Sequence, residues 1–126
     1  MVVAVGGLYL SPVPDALVRV ACPFGGGICQ REELCGALSG GIMVLGALWG
    51  RNAANVNDDF VRTLACKYRE RFLAIFGETQ CRPIRESGWH SEESGCAQVV
   101  RASAELLIDL IETGHRHTPF THEVQR

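Results

Sequence analysis

The chain has 126 residues, of which 47% are apolar, and a formal net charge of −2 from 12 basic and 14 acidic side chains. That length fits one domain, and that apolar share is enough for a core and too much for a disordered chain. With no basic stripe interleaved with aromatics, the sequence argues against a nucleic-acid binder.

Met1 to Leu10 is apolar with no polar lead and reads as the back half of a helix whose front is missing. It lacks the basic n-region and small-residue cleavage site of a secretory signal. Ser11 to Pro14 breaks the chain, and Pro14 suits the first turn of a second helix, Asp15 to Ala21, with Leu17, Val18 and Val20 apolar. Cys22-Pro23 closes that helix, because a residue before proline is pushed out of helical geometry. Phe24 to Leu34 is a loop carrying Gly25, Gly26 and Gly27 in succession. Two readings stay open. The three glycines and Cys29 form a backbone cradle for a cofactor or anion at the next helix start, or they make a tight connection under a packed helix. No G-K-[ST] follows, which excludes a Walker-type phosphate loop, and no strand precedes, which excludes a dinucleotide fingerprint.

The organising element is Cys35 to Gly50, CGALSGGIMVLGALWG, which holds no charged residue. It predicts a helix buried on nearly all sides, yet shorter than the roughly 20 residues needed to cross a bilayer. Gly36 and Gly40, and again Gly46 and Gly50, lie four apart and open strips for close backbone approach. Ser39 satisfies its hydroxyl on its own helix backbone. Cys35 stands at the helix mouth, where free amides and the dipole favour a thiolate.

Arg51 to Asn57 is a polar turn whose Arg51, like Arg62 and Arg69 beyond it, reads as solvated. Asp58 and Asp59 cap a helix from Phe60 to Phe76. Phe60, Leu64, Tyr68, Phe72 and Ile75 share one face of that helix, and Gly77 stops it. Gln80 to Glu86 forms a short turn around Cys81, and Ser87 to Gly95 a polar loop with Trp89 and His90. A last helix runs from Ser94 or Cys96 to Thr113, with Val99, Val100, Ala104, Leu107, Ile108 and Ile111 inward and Gly114 as its end. Residues 1–114 then make a single domain, and 115–126, with His115, His117 and His122, a flexible tail. No segment alternates like a strand. The fold class is all-α: a small bundle of four to five helices around the glycine-rich one.

Six cysteines stand at 22, 29, 35, 66, 81 and 96, none paired as C-x-x-C. Zinc ribbons, thioredoxin-type pairs, haem attachment and ferredoxin-type runs therefore lack their local signature. A helical chain with more cysteine than its packing needs reads as a cytoplasmic protein with metal or redox chemistry rather than a disulfide scaffold. Cys35 and Cys96 each begin a helix after a glycine-containing loop, and Cys81 follows a helix end. Thiolates gathered from such segments could enclose an iron–sulfur cluster or another metal. A metal-free alternative has Cys35 attacking a disulfide and Cys81 or Cys96 resolving it. A third reading is a non-catalytic interaction module, accessory to a transporter or a redox partner, that associates through the glycine strips. A homodimer suits all three. Cys66, within a helix, reads as a buried apolar residue. His90 is a candidate ligand or proton donor beside the cysteine segments.

Cys35-Gly36-Ala37-Leu38-Ser39-Gly40 matches C-G-A-x-x-G. With the glycine loop before it and the segments FGETQCR and SGCAQVV after it, the chain resembles the bacterial and archaeal redox-active proteins named for that motif, written C_GCAxxG_C_C. The likeness runs from Val2 to about Thr113. The resemblance implies a small helical redox protein with four recurring cysteines, three of them matched by Cys35, Cys81 and Cys96. It also resembles a domain of split-Soret cytochromes c, for which an iron–sulfur site on those cysteines has been suggested. In the family the fourth cysteine falls before the segment resembling MVVAVGG, so either the sequence is truncated there, or Cys22 or Cys29, beside the glycine loop, takes its place, or the site has three thiolates.

Overall fold

The computed structural model describes residues 1–117. Six helices follow in order: α1 (Gly6–Tyr9), α2 (Asp15–Ala21), α3 (Gly36–Trp49), α4 (Asp59–Phe76), α5 (Cys81–Ile84) and α6 (Ala97–His117). A 3-10 turn (Cys22–Phe24) extends α2, and a wide turn (Arg85–Trp89) extends α5. No strand forms among the described residues, so the all-α expectation holds. α3, α4 and α6 pack against one another, and α2 lies across α3.

The uncharged α3 sits where the other two long helices meet. Ala37 to Gly41, Val44 and Leu45 are buried. The small residues are there to be approached. A Cβ on Gly40 would stand 2.9 Å from Cβ of Met1, and one on Gly41 would stand 2.5 Å from Cζ of Tyr68. Real Cβ atoms do not come so close, so both sites require glycine. The second expected strip fails. Gly46 faces open space, and Gly50 lies beyond the helix in extended geometry. Nor is the helix covered on every side, because Gly46 and Ala47 are exposed. Two long neighbours can shield its first half but not its whole circumference.

α4 buries Leu64, Tyr68, Phe72 and Phe76, and its C-cap Gly77 takes the left-handed conformation at φ 72°. Phe76, not Ile75, completes the face; a strict four-residue step from Phe72 lands there, and Ile75 is exposed. Asp58 occupies the N-cap position without capping through its side chain. Asn57 accepts the Asp59 amide instead, at 2.9 Å. Asp58 pairs with Arg62 at 2.8 Å and Arg51 at 3.3 Å, so these arginines are not merely solvated. Cys66 is exposed, which corrects the expectation that it fills the core.

α6 continues past Gly114 to His117. Gly114 does not stop it: the helix runs through this position, and Trp49, Leu64 and Phe60 lie at ordinary contact distance, within 3.6 Å of where a Cβ would be. His115 to His117 thus belong to the helix, and His115 lies against the rings of Trp49 and Tyr9. His122 lies outside the described residues. Val100 is exposed; Ser103, Leu106 and Leu110 join Val99, Leu107 and Ile111 in the buried stripe. The Tyr9 hydroxyl donates to Glu112 at 2.6 Å and Arg71 pairs with Asp109 at 2.9 Å, pinning α1 and α4 to α6.

Candidate thiol centre

Backbone pairing joins the segments that carry Cys35 and Cys81. Leu34 and Gln80 form an isolated antiparallel bridge. Around it the Cys35 amide donates to the Thr79 carbonyl at 2.9 Å, and the Cys81 amide donates to the Glu33 carbonyl at 2.6 Å. The sharp turn at Gly77 makes this possible, since it sends the chain from the end of α4 back toward the start of α3. Two ion pairs brace the same junction: Glu32 accepts from Arg82 at 3.1 Å and from Arg85 at 3.0 Å.

The glycine loop closes over Cys81. Gly27 is buried at φ 78°, and a Cβ there would stand 2.8 Å from Cβ of Cys81 and 2.7 Å from the Glu33 amide. Ile28, Cys29, Gln30 and Glu32 also take positive φ, a run that non-glycine residues adopt only when the surroundings hold them there. The holding is done by the loop itself. The amides of Gly25 and of Ile28 through Glu33 all donate to carbonyls of residues 22–28. Most of the loop's amide donors are thus spent within the loop.

Cys96 comes from a later segment of the chain. Phe76 and Trp89 meet edge to face at 4.7 Å, tying the segment after α5 to the end of α4. A small turn between Ser91 and Gly95 then delivers Cys96 to the start of α6. Cys35 and Cys81 are each 7% exposed; Cys96 is exposed.

The three sulfurs share one electrostatic neighbourhood. Burial pushes the Cys35 thiol above its ordinary range; the amides of Ala37 and Leu38 oppose this, and charge on Cys96 adds to it. Burial likewise raises Cys81, reinforced by Cys35, Cys96 and Glu32 and opposed by Arg85. The expected low-pKa thiolate at the helix mouth is therefore corrected for Cys35. The α3 amides do favour its charge, but desolvation is the larger effect, and the neutral thiol makes no cap hydrogen bond with them. Cys22 and Cys29 are exposed, and the charges that act on Cys35 and Cys81 do not come from them or from His90. Cys22 instead lines an apolar groove with Met1, Val3, Val18 and Phe24.

The family model described as "Putative redox-active protein (C_GCAxxG_C_C)" matches residues 1–110. The chain belongs to this redox-active family. No curated protein and no solved structure matches it. The matched span includes Cys35, Cys81 and Cys96. Among the described residues of this family member, no three or more His, Cys, Asp or Glu side chains stand together so as to hold a metal ion. No described helix is long and apolar enough to cross a membrane.

Tyr68 escaped the sequence reading of this site. Its hydroxyl is buried against α3 and donates to the Ala37 carbonyl at 3.0 Å. The spacing of α4 marks Tyr68 as core, which it is, but nothing in the sequence says where its one polar atom goes.

Proposed function

We propose that this protein is a thiol–disulfide redox protein whose centre is Cys35, Cys81 and Cys96. The observation that carries it is the backbone pairing that joins the segments of Cys35 and Cys81, 46 residues apart along the chain, with Cys96 among the charges that act on both thiols.

Exposure assigns the roles. Cys96 meets the partner, because it alone of the three is open to a bulky disulfide. Its thiolate attacks one sulfur of a partner disulfide; that S–S bond breaks, and the departing partner thiolate takes up a proton. The mixed disulfide so formed is resolved by Cys35, whose thiolate attacks the Cys96 sulfur and expels the second partner thiolate, which is also protonated. Two electrons and two protons leave the protein as a Cys35–Cys96 disulfide forms. The amides of Ala37 and Leu38 favour the charged form of Cys35 that this step requires. Cys81, behind the glycine loop, is the alternative resolving thiol. A reducing compartment such as the cytoplasm would hold the centre in its dithiol form.

The third thiol favours a second reading. A disulfide uses two sulfurs, whereas an iron–sulfur cluster would use all three together with another ligand, and it would require them to draw inward. Such a cluster would supply one-electron chemistry.

Reaction of the reduced protein with a small aromatic disulfide tests the assignment. The double variant Cys35→Ser/Cys81→Ser, which removes both resolving thiols, should trap a stable mixed disulfide on Cys96, and Cys96→Ser should slow the first step at least tenfold. Equal rates in the wild type and Cys96→Ser would refute it. Iron and acid-labile sulfide in protein purified without oxygen would select the second reading.

A further inference from the structure

Cys81 is covered by a strained piece of chain. Gly27 lies directly on it: a Cβ there would stand 2.8 Å from Cβ of Cys81. Residues 26–30 all have positive φ, at 66°, 78°, 58°, 46° and 59°, and Glu32 repeats it at 58°. Ile28, Cys29, Gln30 and Glu32 carry a Cβ, so each is strained in that conformation, the β-branched Ile28 most of all. Leaving Cys81 would let these residues return to negative φ and release the strain. Little ties the segment to the rest of the fold. Its amides, from Gly25 and from Ile28 to Glu33, donate only to carbonyls of residues 22–28. One foot holds it. There the carbonyls of Glu32 and Glu33 accept from the amides of Arg82 and Cys81, and the Glu32 carboxylate pairs with Arg82 and Arg85. Those ion pairs are partly exposed, and such pairs contribute little. A segment with stored strain and few outward bonds opens before the packed helices do.

From this geometry we infer that residues 26–32 are a lid over Cys81, shut against their own backbone strain, which opens locally to admit chemistry at that thiol. With the lid shut, Cys35 resolves the mixed disulfide on Cys96. With it open, Cys81 competes: its thiolate attacks the Cys96 sulfur, the Cys81–Cys96 bond forms, and the expelled partner thiolate takes up a proton. The lid thus selects which thiol completes the exchange. That role rests on the proposed function given above. The opening itself does not, because its test uses reduced protein and no disulfide partner, so the two fail separately. A loop packed shut for structure alone would uncover Cys81 only when the whole fold loosens, and then Cys35 would be uncovered with it.

Two substitutions change the strain without changing any charge. Gly26 and Gln30 are both exposed. Gly26→Ala puts one more strained residue into the shut lid, and Gln30→Gly removes one. The rates at which iodoacetamide alkylates Cys81 and Cys35 are read in the reduced full chain at one fixed pH, resolved by peptide mass spectrometry. Cys35 is the reference, because it is as buried as Cys81, at 7% exposure, and lies outside the lid. The Cys81-to-Cys35 ratio should rise roughly fivefold in Gly26→Ala. It should fall roughly twofold in Gln30→Gly, where the greater freedom of the open chain offsets part of the relief. Should Gly26→Ala fail to fold, Gln30→Gly decides alone, by a ratio that falls or does not. A ratio unchanged in both variants, or moved the same way in both, overturns the inference.

Discussion

Gly27 and Gly41 fix the tolerances of the thiol centre from two sides. Gly27 sits at φ 78° with Cys81 and the chain at Glu33 in its missing side chain's place. Gly27→Ala therefore meets left-handed strain of about 1–2 kcal/mol together with backbone contacts that cannot yield. We expect a loss of about 2–4 kcal/mol in urea unfolding and faster alkylation of Cys81 as the loop lifts. Gly41→Ala pushes on the Tyr68 ring in a packed core and should cost about 1–3 kcal/mol. The cysteines add a pH dependence. Cys35 and Cys81 have raised pKa values in the folded state, so the folded protein holds these protons more tightly than the unfolded one. Their contribution to stability is fully present below the ordinary cysteine value of about 8.5 and is lost as pH rises through the raised folded values. The urea midpoint should fall between pH 8 and 9.5, roughly speaking, and should fall less in Cys35→Ser. An equal fall in both proteins would show that some other group is responsible.

At the scale of elements, the sequence was most legible where apolar spacing is regular. α2 and α4 appear within a residue of their expected ends, because proline and glycine punctuate them. α6 was misjudged at Gly114, since a glycine that a helix runs through looks the same in sequence as one that ends it. The motif cysteines were legible as helix starts, and Cys35 and Cys96 do lead into α3 and α6. The ionisation of Cys35 was not, because desolvation depends on what covers the sulfur, and the cover comes from remote segments. The bridge between Leu34 and Gln80 was also hidden, being two residues long and without alternation. Its bracing by Glu32 can be tested. Glu32→Gln weakens two partly exposed ion pairs, so global stability should change by no more than about 1 kcal/mol. Amide hydrogen exchange at Cys81 and Arg82, whose donors bond to Glu33 and Glu32, should nonetheless accelerate. Unchanged exchange there would mean that the backbone pairing holds without the carboxylate.

For the whole molecule, three packed helices form a frame, and under the proposed function that frame holds the thiol-bearing segments. The frame and its centre are separable. Ser in place of Cys96 touches no core residue and should leave thermal stability within about 0.5 kcal/mol of wild type while abolishing exchange chemistry. Loss of the fold in that variant would instead make the exposed cysteine structural. The most direct test of the central claim is to equilibrate the full chain with oxidised glutathione and map every disulfide by peptide mass spectrometry. The account predicts an intramolecular bond between Cys96 and Cys35, or between Cys96 and Cys81, ahead of any bond involving Cys66. Three thiols that stay reduced, or that are each modified singly without ever joining, would contradict it.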